Sequence, residues 1–217
     1  MNSPCGQTLL AEENSIDSFP AVLLADKVAL AAFLSSIAEV EMFGAKWIVA
    51  VPHRYWDETL HEHALDEIRH TKMAQDKARE LRATFSPAEI LREAHLSQAM
   101  HKATDTYLSS LSLRSFRPVR RKLGQDWFEP AYVLLSFLIE RRLMKIYPQL
   151  ARSAVSEEVR AMARTLIADE RKHLSQINGK LSDRLELAGS RKEELLELEQ
   201  GLAEQWLEGS AHAACHA

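Results

Sequence analysis

Two short strings constrain this chain more than any other feature: Asp66-Glu67-Ile68-Arg69-His70 and Asp169-Glu170-Arg171-Lys172-His173. Each reads Asp-Glu, a variable residue, a basic residue, then His. Residues three apart on a helix share a face. Glu67 with His70, and Glu170 with His173, can therefore each offer a carboxylate and an imidazole to one point. A lone copy would be explained by a solvated glutamate and a surface histidine. The faces argue otherwise. Glu58, Glu62, Asp66, Arg69, Lys72 and Asp76 form one charged face, and Glu67 and His70 fall opposite it with Leu60, Ala64, Thr71 and Ala74. Glu170 and His173 share a face with Ala163, Leu166, Ile167, Leu174 and Ile177. A carboxylate on a buried apolar face is costly unless it is paired or bound to metal.

The rest of the chain favours helices. Of 217 residues only seven are Gly and seven Pro, while the strong helix formers Ala, Leu, Glu, Lys and Arg dominate. The reading is all-α. Helices are expected from about Ala21 to Ala50, from Tyr55–Asp57 to Ala83, from a capping box at Ser86–Glu89 to Leu111, from Glu129 to Arg152, and from Ser156 to Leu185. A second capping box, Ser190–Glu193, opens a last helix to about Gly209. The stretch Arg114–Gln125, with Pro118 and Gly124, reads as a connection. One domain is expected over residues 21–209, with tails at 1–20 and at 210–217, the latter frayed.

Two further carboxylates are expected from the helices that precede the strings. Glu140 sits among Val133, Phe137, Leu143, Met144 and Tyr147. In the first half, periodicity favours Glu41, which shares an apolar face with Leu34, Ile37, Ala38, Ala45 and Ile48. Spacing favours Glu39, because the interval to Glu67 then better matches that from Glu140 to Glu170. The set taken is Glu41, Glu67, His70, Glu140, Glu170 and His173. Carboxylate oxygens with imidazoles suit iron or manganese, and zinc less exclusively. This is the plan of a dinuclear site in a helical bundle: one Glu from each of two helices and Glu-x-x-His from the other two.

On these residues the chain resembles the ferritin-like di-iron carboxylate superfamily. The Asp-Glu-x-Arg-His form is similar to that of its oxygen-activating members, such as soluble methane monooxygenase hydroxylases and acyl-carrier-protein desaturases. The resemblance implies a four-helix bundle with about two added helices and two iron ions, with manganese or a mixed pair as variants. It implies O2 as co-substrate and an external electron donor. The expected reaction is oxidation of a small or carrier-bound organic substrate by hydroxylation, N-oxygenation, desaturation or deformylation. It also implies that Asp66 and Asp169 hydrogen-bond the ligand histidines and that Arg69 steadies them. Lys172 stands where the second string would have Arg.

His63 lies one turn before Glu67 on the inward face, either as a third imidazole ligand or as a hydrogen-bonded pocket histidine. Tyr107, Tyr132 and Tyr147 read as core aromatics, with redox relay as the sharper alternative. The basic run from Arg114 to Lys122 reads as a solvated connection, or as a dock for an acidic carrier, a phosphate-bearing substrate or tRNA. A net charge of -4 disfavours a chain that binds polyanions as a whole. Cys5 and Cys215 define no disulfide framework. No secretion signal or membrane-spanning stretch is read, so a cytoplasmic protein is expected, with a homodimer as the default assembly. Two other functions compete: a metal-handling protein such as a ferroxidase or manganese catalase, and a non-catalytic helical interaction module.

Overall fold

A short polar interruption in an apolar run sets where the first long helix begins. Asp26 leaves the helical backbone between α1 (Val22–Ala25) and α2 (Lys27–Val49). Its carboxylate accepts from the N–H groups of Val28 and Ala29 at 2.8 and 3.0 Å and binds Arg92 at 2.8 Å. The expected single helix from Ala21 to Ala50 is therefore two helices, the second capped by Asp26. The computed structural model describes residues 19–189 and 191–216. Ser190, with its expected capping box, and most of the 1–20 segment lie outside these residues.

Five helices follow: α3 (Glu58–Arg82), α4 (Pro87–Leu123), α5 (Phe128–Ser153), α6 (Glu157–Ala188) and α7 (Lys192–His216). No strand occurs among the described residues. Asp57 caps α3 and Ser156 caps α6. Ser86 and Glu89 form the reciprocal capping box of α4. Gly189 ends α6 with φ of +64°, a left-handed conformation that favours glycine.

Two expectations need correction. Arg114–Gln125 is not a connection, because α4 continues through Pro118 to Leu123. Leu111, Ser115, Phe116 and Val119 keep its buried stripe in register across the proline. Packing of that stripe outweighs the one backbone hydrogen bond that Pro118 cannot donate. Likewise α7 does not fray after Gly209: Ser210 and Ala214 are buried and the helix reaches His216.

The helices form a bundle. α2 packs along α3 and α5 along α6, and the two pairs meet where α3 faces α6. α4 lies against α2, and α7 lies against α4. A polar knot ties the outer helices in: Arg142 donates two hydrogen bonds to Glu199 at 2.7 and 2.8 Å, and Tyr107 donates a third at 3.0 Å. The Trp206 ring stacks on Tyr107 at 5.0 Å, and its Nε1–H donates to Thr104.

α2 is apolar on nearly every side. By length and composition this 23-residue helix could cross a membrane, which corrects the sequence reading. Within the bundle 72% of that apolar window is buried against other helices. A helix hydrophobic all round is as much the mark of a bundle's centre as of a membrane span.

Two outcomes test this account. Burial works against the charge of Asp26, but Arg92 and the two N–H groups outweigh it and hold the carboxyl below its usual range. Its contribution is present above the unfolded-state pKa and fades as pH falls through the lower folded value. Asp26→Ala should cost about 1 kcal/mol at neutral pH, and the gap to wild type in denaturant titrations should close in acid. Arg142→Met leaves Glu199 buried and uncompensated, and should cost about 3–5 kcal/mol. The double change Arg142→Met/Glu199→Leu should restore most of that in the same titration.

Candidate metal centre

Four helices bring seven ionisable side chains into one buried region. Glu41 comes from α2, His63, Glu67 and His70 from α3, Glu140 from α5, and Glu170 and His173 from α6. None is more than 5% exposed. Their donor atoms fall into two sets, each with its atoms within 4.8 Å of one another: Glu41, Glu67, His70 and Glu170, and His63, Glu67, Glu140 and His173. Glu67 belongs to both. Glu170 also faces both histidines, with Oε1 at 3.0 Å from His70 Nδ1 and Oε2 at 3.2 Å from His173 Nδ1.

The imidazoles are steered crosswise. His70 Nε2 lies 3.3 Å from Asp169 on α6, and His173 Nε2 lies 3.2 Å from Asp66 on α3. An aspartate on Nε2–H fixes the tautomer that leaves Nδ1 with its lone pair toward the cluster. Arg69 joins the two aspartates, donating to Asp66 at 2.5 Å and to Asp169 at 3.2 Å. Lys172 does not duplicate it; it bonds Glu62 at 2.8 Å and so pins α6 to α3 at the surface.

The donor set fits metal ions on its own terms. Glu41 Oε2 and Glu140 Oε2 are buried without a hydrogen-bond partner, and His70 Nδ1 and Glu170 Oε1 face each other at 3.0 Å without hydrogen-bond geometry. Buried polar atoms are normally satisfied, and this cluster of under-satisfied atoms is suited to hold a cation. Four ionised carboxylates would balance the formal charge of two divalent ions. The resting electrostatics agree. Burial and the charges of Glu67 and Glu170 push Glu41 well above the usual carboxyl range. Burial and Glu170 raise Glu140 to about 8. Glu170 goes the other way despite its burial, held low by its close neighbours Glu140, His173 and His70. Burial disfavours charge on His63 and His173, yet their glutamate neighbours win and raise them to about 9 and about 12. These shifts favour protons at groups that could instead hold cations.

The structure brings together all six residues of the predicted set and places His63 among them. His63 Nε2 lies 2.8 Å from Glu140 and 3.0 Å from Glu67, and its Nδ1 meets the Tyr132 hydroxyl at 3.1 Å. Glu39 lies apart, bonded to His101 at the surface. Sequence reading passed over three contacts. Tyr147, read as core, donates to Glu41. Tyr132 meets His63. Gly44 gives Glu67 its room: a Cβ there would stand 2.8 Å from Glu67 Oε2. A glycine inside an apolar helix, costly for helix formation, was the available signal for that last one.

A pocket of about 40 Å³ reaches His63 between Tyr55, Leu60, Tyr132 and Ile177. Comparison with protein-family models, with curated proteins and with solved structures gives no match for this chain. What fold and site define is an all-α bundle with two buried glutamate–histidine clusters positioned to hold metal.

Gly44→Ala and Gly179→Ala form a matched pair. Gly179 has open space at its Cβ, so alanine there should raise stability by up to about 1 kcal/mol. At Gly44 the methyl group displaces the Glu67 carboxylate. That variant should stay folded by circular dichroism yet lose about tenfold or more in Mn(II) affinity by calorimetric titration, as misplaced ligand supports generally do.

Proposed function

We propose that this chain is a dinuclear metal oxidoreductase that uses O2 to oxidise an organic substrate, with iron as its metal. The observation that carries the proposal is the pair of four-residue donor sets sharing Glu67, with under-satisfied buried atoms and histidines steered from outside. Glu41 and His70 would hold one ion, and Glu140, His173 and His63 the other, with Glu67 and Glu170 between them. A redox-active metal pair bound there supplies the electron chemistry toward O2 that protein side chains lack.

The chain's own residues do the rest. Asp66 and Asp169 orient the imidazoles, and Arg69 holds both aspartates. Leu60, Ala64 and Leu166, all buried, contribute to a low-dielectric surround that strengthens every charge interaction inside. The Tyr132 hydroxyl meets His63 Nδ1 and orients that imidazole. Tyr147 fixes one oxygen of Glu41. Electrons for turnover would come from an external donor.

The small pocket at His63 supports a second reading. It has room for a few waters and suits peroxide or free metal ions better than a bulky substrate, as in a catalase or ferroxidase.

Metal analysis decides the matter first. Protein from cells grown with iron and manganese should carry about two iron atoms per chain, and Glu67→Ala/Glu170→Ala should carry essentially none while keeping its helical content. Two manganese atoms would favour peroxide chemistry. No bound metal in the wild type would overturn both readings. With iron present, substrate screening should find O2 consumption that Glu170→Ala abolishes.

A further inference from the structure

The basic run of α4 has a second face to its story. Arg82, Arg92, Arg142 and Arg184 all reach carboxylates. No ion pair among the described residues involves Arg114, Arg117, Arg120 or Arg121, which are exposed along the last turns of α4. Three of them, Arg117, Arg120 and Arg121, edge a groove of about 790 Å³. Its floor is aromatic: Phe43 and Trp47 from α2, Phe116 from α4, and Trp127. Arg120 lies over the Trp127 ring, 5.7 Å from its centre. The groove is separate from the metal centre. α2 stands between them, with Glu41 and Gly44 turned to the centre and Phe43 and Trp47 to the groove.

We propose that this groove binds a small amphipathic anion, an acyl-type apolar body with a phosphate or carboxylate head. The volume lies in the range of small-molecule sites, which join an apolar lining to a few polar groups. Charge complementarity names the head. Guanidinium groups without a carboxylate partner favour oxyanions, which they can bind with paired N–H groups. The floor names the body. Trp47 meets Phe116 at 70° and Phe116 meets Trp127 at 61°, edge to face. Neighbouring rings that stand at steep angles to one another offer an irregular apolar surface, across which a flexible chain can lie. The positive groups are confined to a few turns of one helix in a chain of net charge -4, which matches a single head group and not an extended polyanion.

The test uses the full chain and dodecyl phosphate below its micellar concentration, read by tryptophan fluorescence and calorimetry. Trp47 and Trp127 report from the groove. Saturable binding is expected, about tenfold or more weaker for dodecanol and for inorganic phosphate alone, a difference of about 1.4 kcal/mol or more. Laurate in place of dodecyl phosphate distinguishes the two heads, and tight binding of either supports the site. Arg117→Ser/Arg121→Ser, both exposed, should keep the fold and lose about tenfold in affinity, with Arg117→Lys/Arg121→Lys recovering part of it. Absence of saturable binding overturns the proposal, as does equal binding by the serine variant. Binding to anionic vesicles or to a single-stranded oligonucleotide without binding of the monomeric amphiphile also overturns it. None of these readouts depends on bound metal.

Discussion

Burying four glutamates and three histidines in one helical core is the constraint on which the structure depends. Such groups are unfavourable in a low-dielectric interior unless each charge is answered. Here the answers come crosswise. The aspartate that precedes each Glu on one helix serves the histidine of the other, and Arg69 joins the two aspartates. This interlock explains why α3 and α6 must meet in one register. A shift of either helix by one residue would separate both Asp–His pairs at once and turn the glutamates away from one another.

Around that seam the fold divides its work. α2 and α5 each contribute one glutamate and otherwise supply apolar packing. The outer helices α4 and α7 contribute no donor atom. They cover α2 and are fastened by the Arg142–Glu199–Tyr107 knot, which answers its own buried charge. The contrast between the two polar clusters is informative. The knot is satisfied internally, with a guanidinium opposite the carboxylate. The cluster between α3 and α6 leaves four buried atoms under-satisfied. A self-satisfied network and a candidate metal site differ in that respect.

The second aromatic and basic region sits on the far side of α2. That helix is apolar on nearly every side because it is packed from two directions, by α3 and by α4. The feature that gives it the hydropathy of a membrane span is therefore the feature that lets it stand between two distinct chemical surfaces.

Much was legible in the sequence, because helical periodicity is local. The repeated Asp-Glu-x-basic-His strings, the apolar faces beneath them, the buried position of Glu140 and most helix boundaries follow from spacing along one chain segment. The choice of Glu41 over Glu39 was also a matter of one helix's faces. What the sequence could not determine depends on distance through space. The crossed pairing of Asp66 with His173 and Asp169 with His70 needs the packed register of α3 on α6. The convergence of His63 on Glu140, the hydroxyl of Tyr147 on Glu41 and the space that Gly44 gives Glu67 all join residues on different helices. Pro118 shows the limit most directly: its local chemistry argues for a break, and only the packing of α4 in the tertiary structure keeps the helix whole.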